Sequence, residues 1–125
     1  MDNLIYPELS YKIVGLLFEV YNKLGYGLRE KDYQKAISIF LSENNIIFQE
    51  QVSANLKINN QNIRKYYLDF IIDNKIVLGL KTENRFNKNN IAQIYSYLKS
   101  TNKKLGIIAN FSKYGVKFKR IVNIK

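Results

Sequence analysis

The residues best placed to do chemistry in this 125-residue chain lie between Tyr66 and Lys81. Two β-rich runs there fold back on each other about Asp73-Asn74-Lys75, with a lone acid, Asp69, in the first and a lone base, Lys81, in the second. A three-residue loop sets Ile72 against Ile76 and Asp69 against Gly79. Strand alternation then puts Asp69, Gly79 and Lys81 on one face and Leu68, Phe70, Ile72, Ile76, Leu78 and Leu80 on the other. A carboxylate facing an acid-x-lysine on the neighbouring strand is what a magnesium ion needs beside a phosphodiester. Two carboxylates hold the metal, and the lysine positions or deprotonates the attacking water. Asp69 and Lys81 supply one carboxylate and the base, while position 79 has no side chain. The same two residues also read as a cross-strand ion pair, worth about 0.2–1 kcal/mol if exposed.

The elements that must position these residues can be read in order. Pro7 suits the first turn of a helix, with Glu8 favoured near its N-terminal dipole. Ile13, Leu16, Leu17, Val20, Tyr21 and Leu24 then recur at helical spacing up to Gly25, a natural C-terminal glycine. Gly27 opens a second helical run, with Tyr33, Ala36, Ile37, Phe40 and Leu41 on its apolar stripe, ending near Asn44. Residues 46–58 alternate as a strand, Asn59 to Asn62 make a turn, and the hairpin around Asp73 follows. Asn89 or Asn90 can cap a third helix, in which Ile91, Ile94, Tyr95 and Leu98 form the buried stripe and Gln93 and Tyr97 share another face. Leu105 to Phe111 is a continuous apolar strand of the doubly buried kind, and Val116 to Ile124 an alternating, basic edge strand. The expected architecture is α/β in the order ααβββαββ, one domain spanning residues 1–125, with the third helix crossing between nearly parallel strands.

Composition narrows the function classes. There is no cysteine and no histidine, which excludes a zinc site and a histidine-based triad, so a metal here must be a hard one held by carboxylates. The missing cysteine fits a reducing compartment, the N-terminus lacks signal-peptide regions, and no run approaches a membrane span. The expectation is therefore a cytoplasmic chain without membrane contact. The net charge of +10 is unevenly placed: ten basic and ten acidic residues balance through Glu83, and ten basic residues with no acid follow. That surplus, which includes Lys99, Lys103, Lys104, Lys117, Lys119 and Arg120, suggests a polyanionic partner. Lysine-rich composition alone can also produce it.

Gly27-Leu28-Arg29-Glu30-Lys31-Asp32-Tyr33 fits Gly-x-x-Glu-x-x-Tyr. Together with the helix Val14 to Leu24, the Asp69 hairpin, Gln93 to Lys99 and Arg120 to Asn123, it resembles the GxxExxY protein family of the PD-(D/E)XK nuclease superfamily. The likeness runs from about Tyr11 to Asn123. It implies a restriction-endonuclease-like mixed sheet flanked by helices and, in active members, phosphodiester cleavage with Mg²⁺ or Mn²⁺. By position it implies Asp69 as a metal ligand, Lys81 as the lysine of Glu-x-Lys, Glu30 as a helix acid completing the metal site, and Gln93 and Tyr97 as the polar face of the following helix. The departure is Gly79, where the family pattern has Glu. Glycine weakens a strand interior by roughly 0.5–1 kcal/mol, so folding is expected to give no reason for it. Glu83, two residues past Lys81, has the parity to substitute as a ligand, and it also reads as a solvated residue beyond the strand end. Three functions follow as expectations. The first is a nucleic-acid-binding member with an incomplete, inactive Mg²⁺ site. The others are an active nuclease using Glu83 or Glu30 as substitute ligand, and a non-catalytic protein-interaction subunit.

Overall fold

The computed structural model describes residues 5–124. Helices α1 (Pro7–Leu24) and α2 (Glu30–Glu43) precede strands β1 (Phe48–Ile58), β2 (Gln61–Ile72) and β3 (Ile76–Lys81). Helix α3 (Lys88–Thr101) then leads to β4 (Leu105–Ser112) and β5 (Gly115–Val122). The strands form one sheet in the order β1-β2-β3-β4-β5, antiparallel except for the parallel pair β3 and β4, which α3 connects. This is the expected ααβββαββ order and the restriction-endonuclease-like fold class.

Two hydrophobic layers enclose the sheet. Ile13, Leu17 and Val20 of α1 and Tyr33, Ile37 and Leu41 of α2 pack on Phe70, Ile72, Ile76, Leu78 and Leu80. On the opposite face, Ile94 and Leu98 of α3 pack on Ile71, Val77, Ile108 and Ile121. All of β4 is buried, as a strand covered on both faces requires. The β2–β3 turn closes with Ile72 paired to Ile76 as expected, and Asp73 and Asn74 take its two left-handed positions at φ 53° and 54°.

Several expectations need correction. Leu68 does not join Phe70 and Ile72. It packs with Tyr66, Ala54 and Ile94 in the layer beneath α3. The β1–β2 ribbon changes its covering partner at Asp69, opposite which Gln51 has a left-handed backbone at φ 49°, so simple alternation fails across that point. The cap of α3 is Asn87, whose side chain accepts the Asn89 N–H at 2.7 Å. Tyr95 lies exposed with Lys99 against its ring, and Leu24 is exposed at the last turn of α1.

Gly79 has a folding role after all. A Cβ there would stand 3.2 Å from Ile94 Cδ1, and one on Gly106 would stand 2.5 Å from Ile94 Cγ2. Gly79 and Gly106 lie on the adjacent strands β3 and β4, and together they let Ile94 carry α3 close onto the sheet.

Candidate active site

Asp69 sits where the β2–β3 ladder ends. The pairing runs from Ile72↔Ile76 to Phe70↔Leu78, and at the next position Asp69 extends its side chain across instead. Its Oδ2 accepts the Leu80 N–H at 2.7 Å and its Oδ1 accepts from Gln51 Nε2 at 3.3 Å. Burial pushes the Asp69 carboxyl above the ordinary aspartate range, opposed by the Leu80 hydrogen bond, the charge of Lys81 and the Gln51 amide.

Lys81 ends β3 beside Asn110 of β4. Asn110 is buried and grips the chain as it leaves β3: the Glu83 N–H donates to Asn110 Oδ1 at 2.8 Å, and Asn110 Nδ2 donates to the Glu83 carbonyl. This fixes the Glu83 backbone two residues past Lys81, while its side chain stays exposed.

Glu30 is the first residue of α2, and the residues around it hold that helix start in place. Tyr33 is fully buried and stacked on Phe111, with centroids 4.3 Å apart and planes 5° apart. Its hydroxyl donates to the Gly25 carbonyl at 2.7 Å. Asp32 accepts the Arg29 N–H at 3.1 Å and pairs with its guanidinium at 3.2 Å. The Gly-x-x-Glu-x-x-Tyr stretch is thus a loop running into the first turn of α2, whose tyrosine ties it to the core and whose glutamate lines the hollow beside Asp69. Burial pushes the Glu30 carboxyl upward; Lys81 opposes this, while Asp69 and Glu83 add to it. Asp69, Lys81 and Glu83 thus all act on the Glu30 carboxyl.

Gln34, one turn along α2 from Glu30, donates to Glu50 at 3.1 Å and accepts from Gln51 at 3.0 Å, and Gln51 in turn reaches Asp69. Neither this amide relay nor the Asn110 clamp is among the contacts expected from the sequence. The spacing of Gln34 from Glu30 is the one signal that could have suggested the first. A small cavity of about 40 Å³ opens among Tyr67, Asp69, Gly79, Lys81, Asn90 and Gln93. A broader hollow of about 490 Å³ lies between Glu30, Gln34, Gln51 and Asp69. Asp69 lines both.

These residues do not make up a complete donor set for Mg²⁺. Both Asp69 oxygens already accept hydrogen bonds, position 79 offers no ligand, and among the described residues no three acidic side chains lie close enough to form a metal-binding group.

The expected nucleic-acid contacts are dispersed. Lys117 pairs with Asn110 and Lys119 with Ile108, at the strand levels of Lys81 and Gly79. Lys117 lies near the Tyr114 ring and Lys119 over Phe86. Lys103 instead donates to Asn74, and with Lys104 it lies at the β2–β3 turn, roughly 17 Å along β3 from Lys81. Arg120 is half-buried and donates to the Ile5 carbonyl at 3.4 Å. Gln93 lines the small cavity and, with its amide oxygen turned to Arg64, accepts from that guanidinium at 2.6 and 3.1 Å. Tyr97 packs half-buried beneath the ribbon, and Lys99 covers Tyr95. Among the described residues no helix is long and apolar enough to cross a membrane.

The family model of the PD-(D/E)XK nuclease superfamily matches residues 7–121. The crystal structure of SSO0001 superposes with a TM-score of 0.55 at 18% identity, over 96% of this chain and 58% of that one. An alkaline exonuclease from Laribacter hongkongensis superposes with a TM-score of 0.51 at 10% identity, over 98% of this chain and 73% of that one. At these identities the likeness is one of fold. No curated protein sequence matches the chain.

Proposed function

The chain belongs to the PD-(D/E)XK nuclease superfamily, and on that footing we propose that it binds nucleic acid over a magnesium site left incomplete at Gly79. The observation that carries this reading is the setting of Gly79. Asp69 and Lys81 flank it around one cavity, and a Cβ at 79 would stand 3.2 Å from Ile94 Cδ1. Asp69 alone on the strand pair leaves Mg²⁺ most of its water shell, so cleavage is absent or very slow. Binding draws on Lys81, Lys117 and Lys119, which lie on neighbouring strands at one end of the sheet.

The test is fluorescence anisotropy with a labelled oligonucleotide across a salt series. Affinity of about 10⁻⁴ to 10⁻⁶ M, falling steeply with salt, is expected. Lys117→Ala with Lys119→Ala should flatten the salt slope by about one to two, while Lys103→Ala should leave it unchanged. Binding that ignores salt, or none at low salt, would refute the reading.

A second reading is favoured by one observation, that Lys81, Asp69 and Glu83 all act electrostatically on the Glu30 carboxyl. In it, Glu30 or Glu83 takes the role of the missing acid and the chain is a metal-dependent nuclease. Metal-dependent cleavage that Asp69→Ala abolishes would support it.

A further inference from the structure

The β1–β2 ribbon runs well past the rest of the sheet. Strand β2 pairs with β3 only over Phe70 to Ile72, while its pairing with β1 continues out to Gln61. Between Gln51 and Leu68 there are three basic residues, Lys57, Arg64 and Lys65, and no acid. One side of this extension is occupied, since Ala54, Tyr66 and Leu68 pack beneath α3 and Arg64 is held between Tyr66 and Gln93. Lys65 and Tyr67 alternate with those residues, and both are exposed. Tyr67 pairs with Ser53 and Lys65 with Asn55, two further exposed polar residues. Tyr67 leaves 57% of its surface open although it lines the same cavity as Asp69 and Lys81.

Tyr67 thus presents an open aromatic ring two residues from the site carboxylate, with a lysine two residues further. The cavity itself, about 40 Å³, admits a few waters or a phosphate oxygen but no base. A strand crossing it must keep its bases outside, beside Tyr67. We propose that Tyr67 is a stacking platform for an unpaired base, and that Lys65, with Ser53 and Asn55, takes the backbone of a single strand running from the site along the ribbon. Single-strand recognition follows because a ring can stack only on a base whose face is free, and such stacking tolerates any sequence. The inference rests on the nucleic-acid-binding reading above and adds to it the strandedness of the ligand and the path it follows.

The experiment measures binding of labelled oligothymidylate, alone and annealed to oligoadenylate, to the natural chain and to Tyr67→Ala, Tyr67→Phe and Lys65→Ala, each checked for native circular dichroism. The single strand should bind more tightly than the duplex. Tyr67→Ala should weaken it about 5- to 150-fold and Tyr67→Phe little, since the ring remains. Lys65→Ala should lower the salt slope by about 0.7. If the natural chain binds with steep salt dependence but Tyr67→Ala matches it, or the duplex is preferred, this inference fails and the general binding reading stands. If the natural chain binds neither probe, both fail.

Discussion

Ile94, a buried isoleucine of α3, stands over Gly79, its Cδ1 3.2 Å from the point a Cβ would occupy. The absence of an acid at position 79 is therefore coupled to how closely the helix packs.

Gly106 is the stricter of the two glycines under that side chain. A Cβ there would meet Ile94 Cγ2 at 2.5 Å, a branch fixed close to the helix backbone. Gly106→Ala should destabilise the fold by about 1–3 kcal/mol. Ile94→Ala should cost about 2–5 kcal/mol by opening a cavity, and the two together should cost less than their sum. A denaturation double-mutant cycle measures this; strict additivity would count against the close-packing account.

Tyr33→Phe keeps the stack on Phe111 and removes the hydrogen bond to the Gly25 carbonyl together with the longer one accepted from the Leu28 N–H. Thermal denaturation should report a loss of about 0.5–1.5 kcal/mol. Hydrogen exchange should quicken at Gly27 to Glu30 before it quickens in the sheet.

Burial raises the Asp69 carboxyl in the folded chain. A raised carboxyl binds its proton more readily when folded than when unfolded, so its contribution to stability is full below the unfolded value, about pH 4, and is lost as pH rises through the folded value. Asp69→Asn should therefore unfold at a higher temperature than the natural chain at neutral pH. The gain should vanish in acid below about pH 4. An unchanged difference across that range would place the strain elsewhere.

Much of this was legible in residue order. The 3.6-residue spacing of Ile13, Leu17 and Val20 and the uninterrupted run from Leu105 to Phe111 define their elements because each reports its own burial locally. The hairpin about Asp73 pairs Ile72 with Ile76 for the same reason. What periodicity cannot carry is a change of partner along one strand. Leu68 keeps the parity of Phe70 yet packs under α3, since the backbone turns at Gln51. Nor can it give contacts between distant segments, such as the Asn110 grip on Glu83 or the Ile94 contact that accounts for Gly79. Gly79 alone is a loss to the strand; beside Gly106 and Ile94 it also spares a tight contact with Ile94 Cδ1.

The central claim, a metal site incomplete at Gly79, is tested by calorimetric titration with Mn²⁺ and Mg²⁺ alongside oligonucleotide cleavage. The comparison covers the natural chain, Gly79→Glu, and Gly79→Glu with Ile94→Val, which removes the Cδ1 atom in the way. The account predicts weak metal binding and no metal-dependent cleavage by the natural chain. It predicts tighter binding once the acid is supplied, strongest where Ile94 has been trimmed. Robust metal-dependent cleavage by the natural chain that disappears in Asp69→Ala would contradict it.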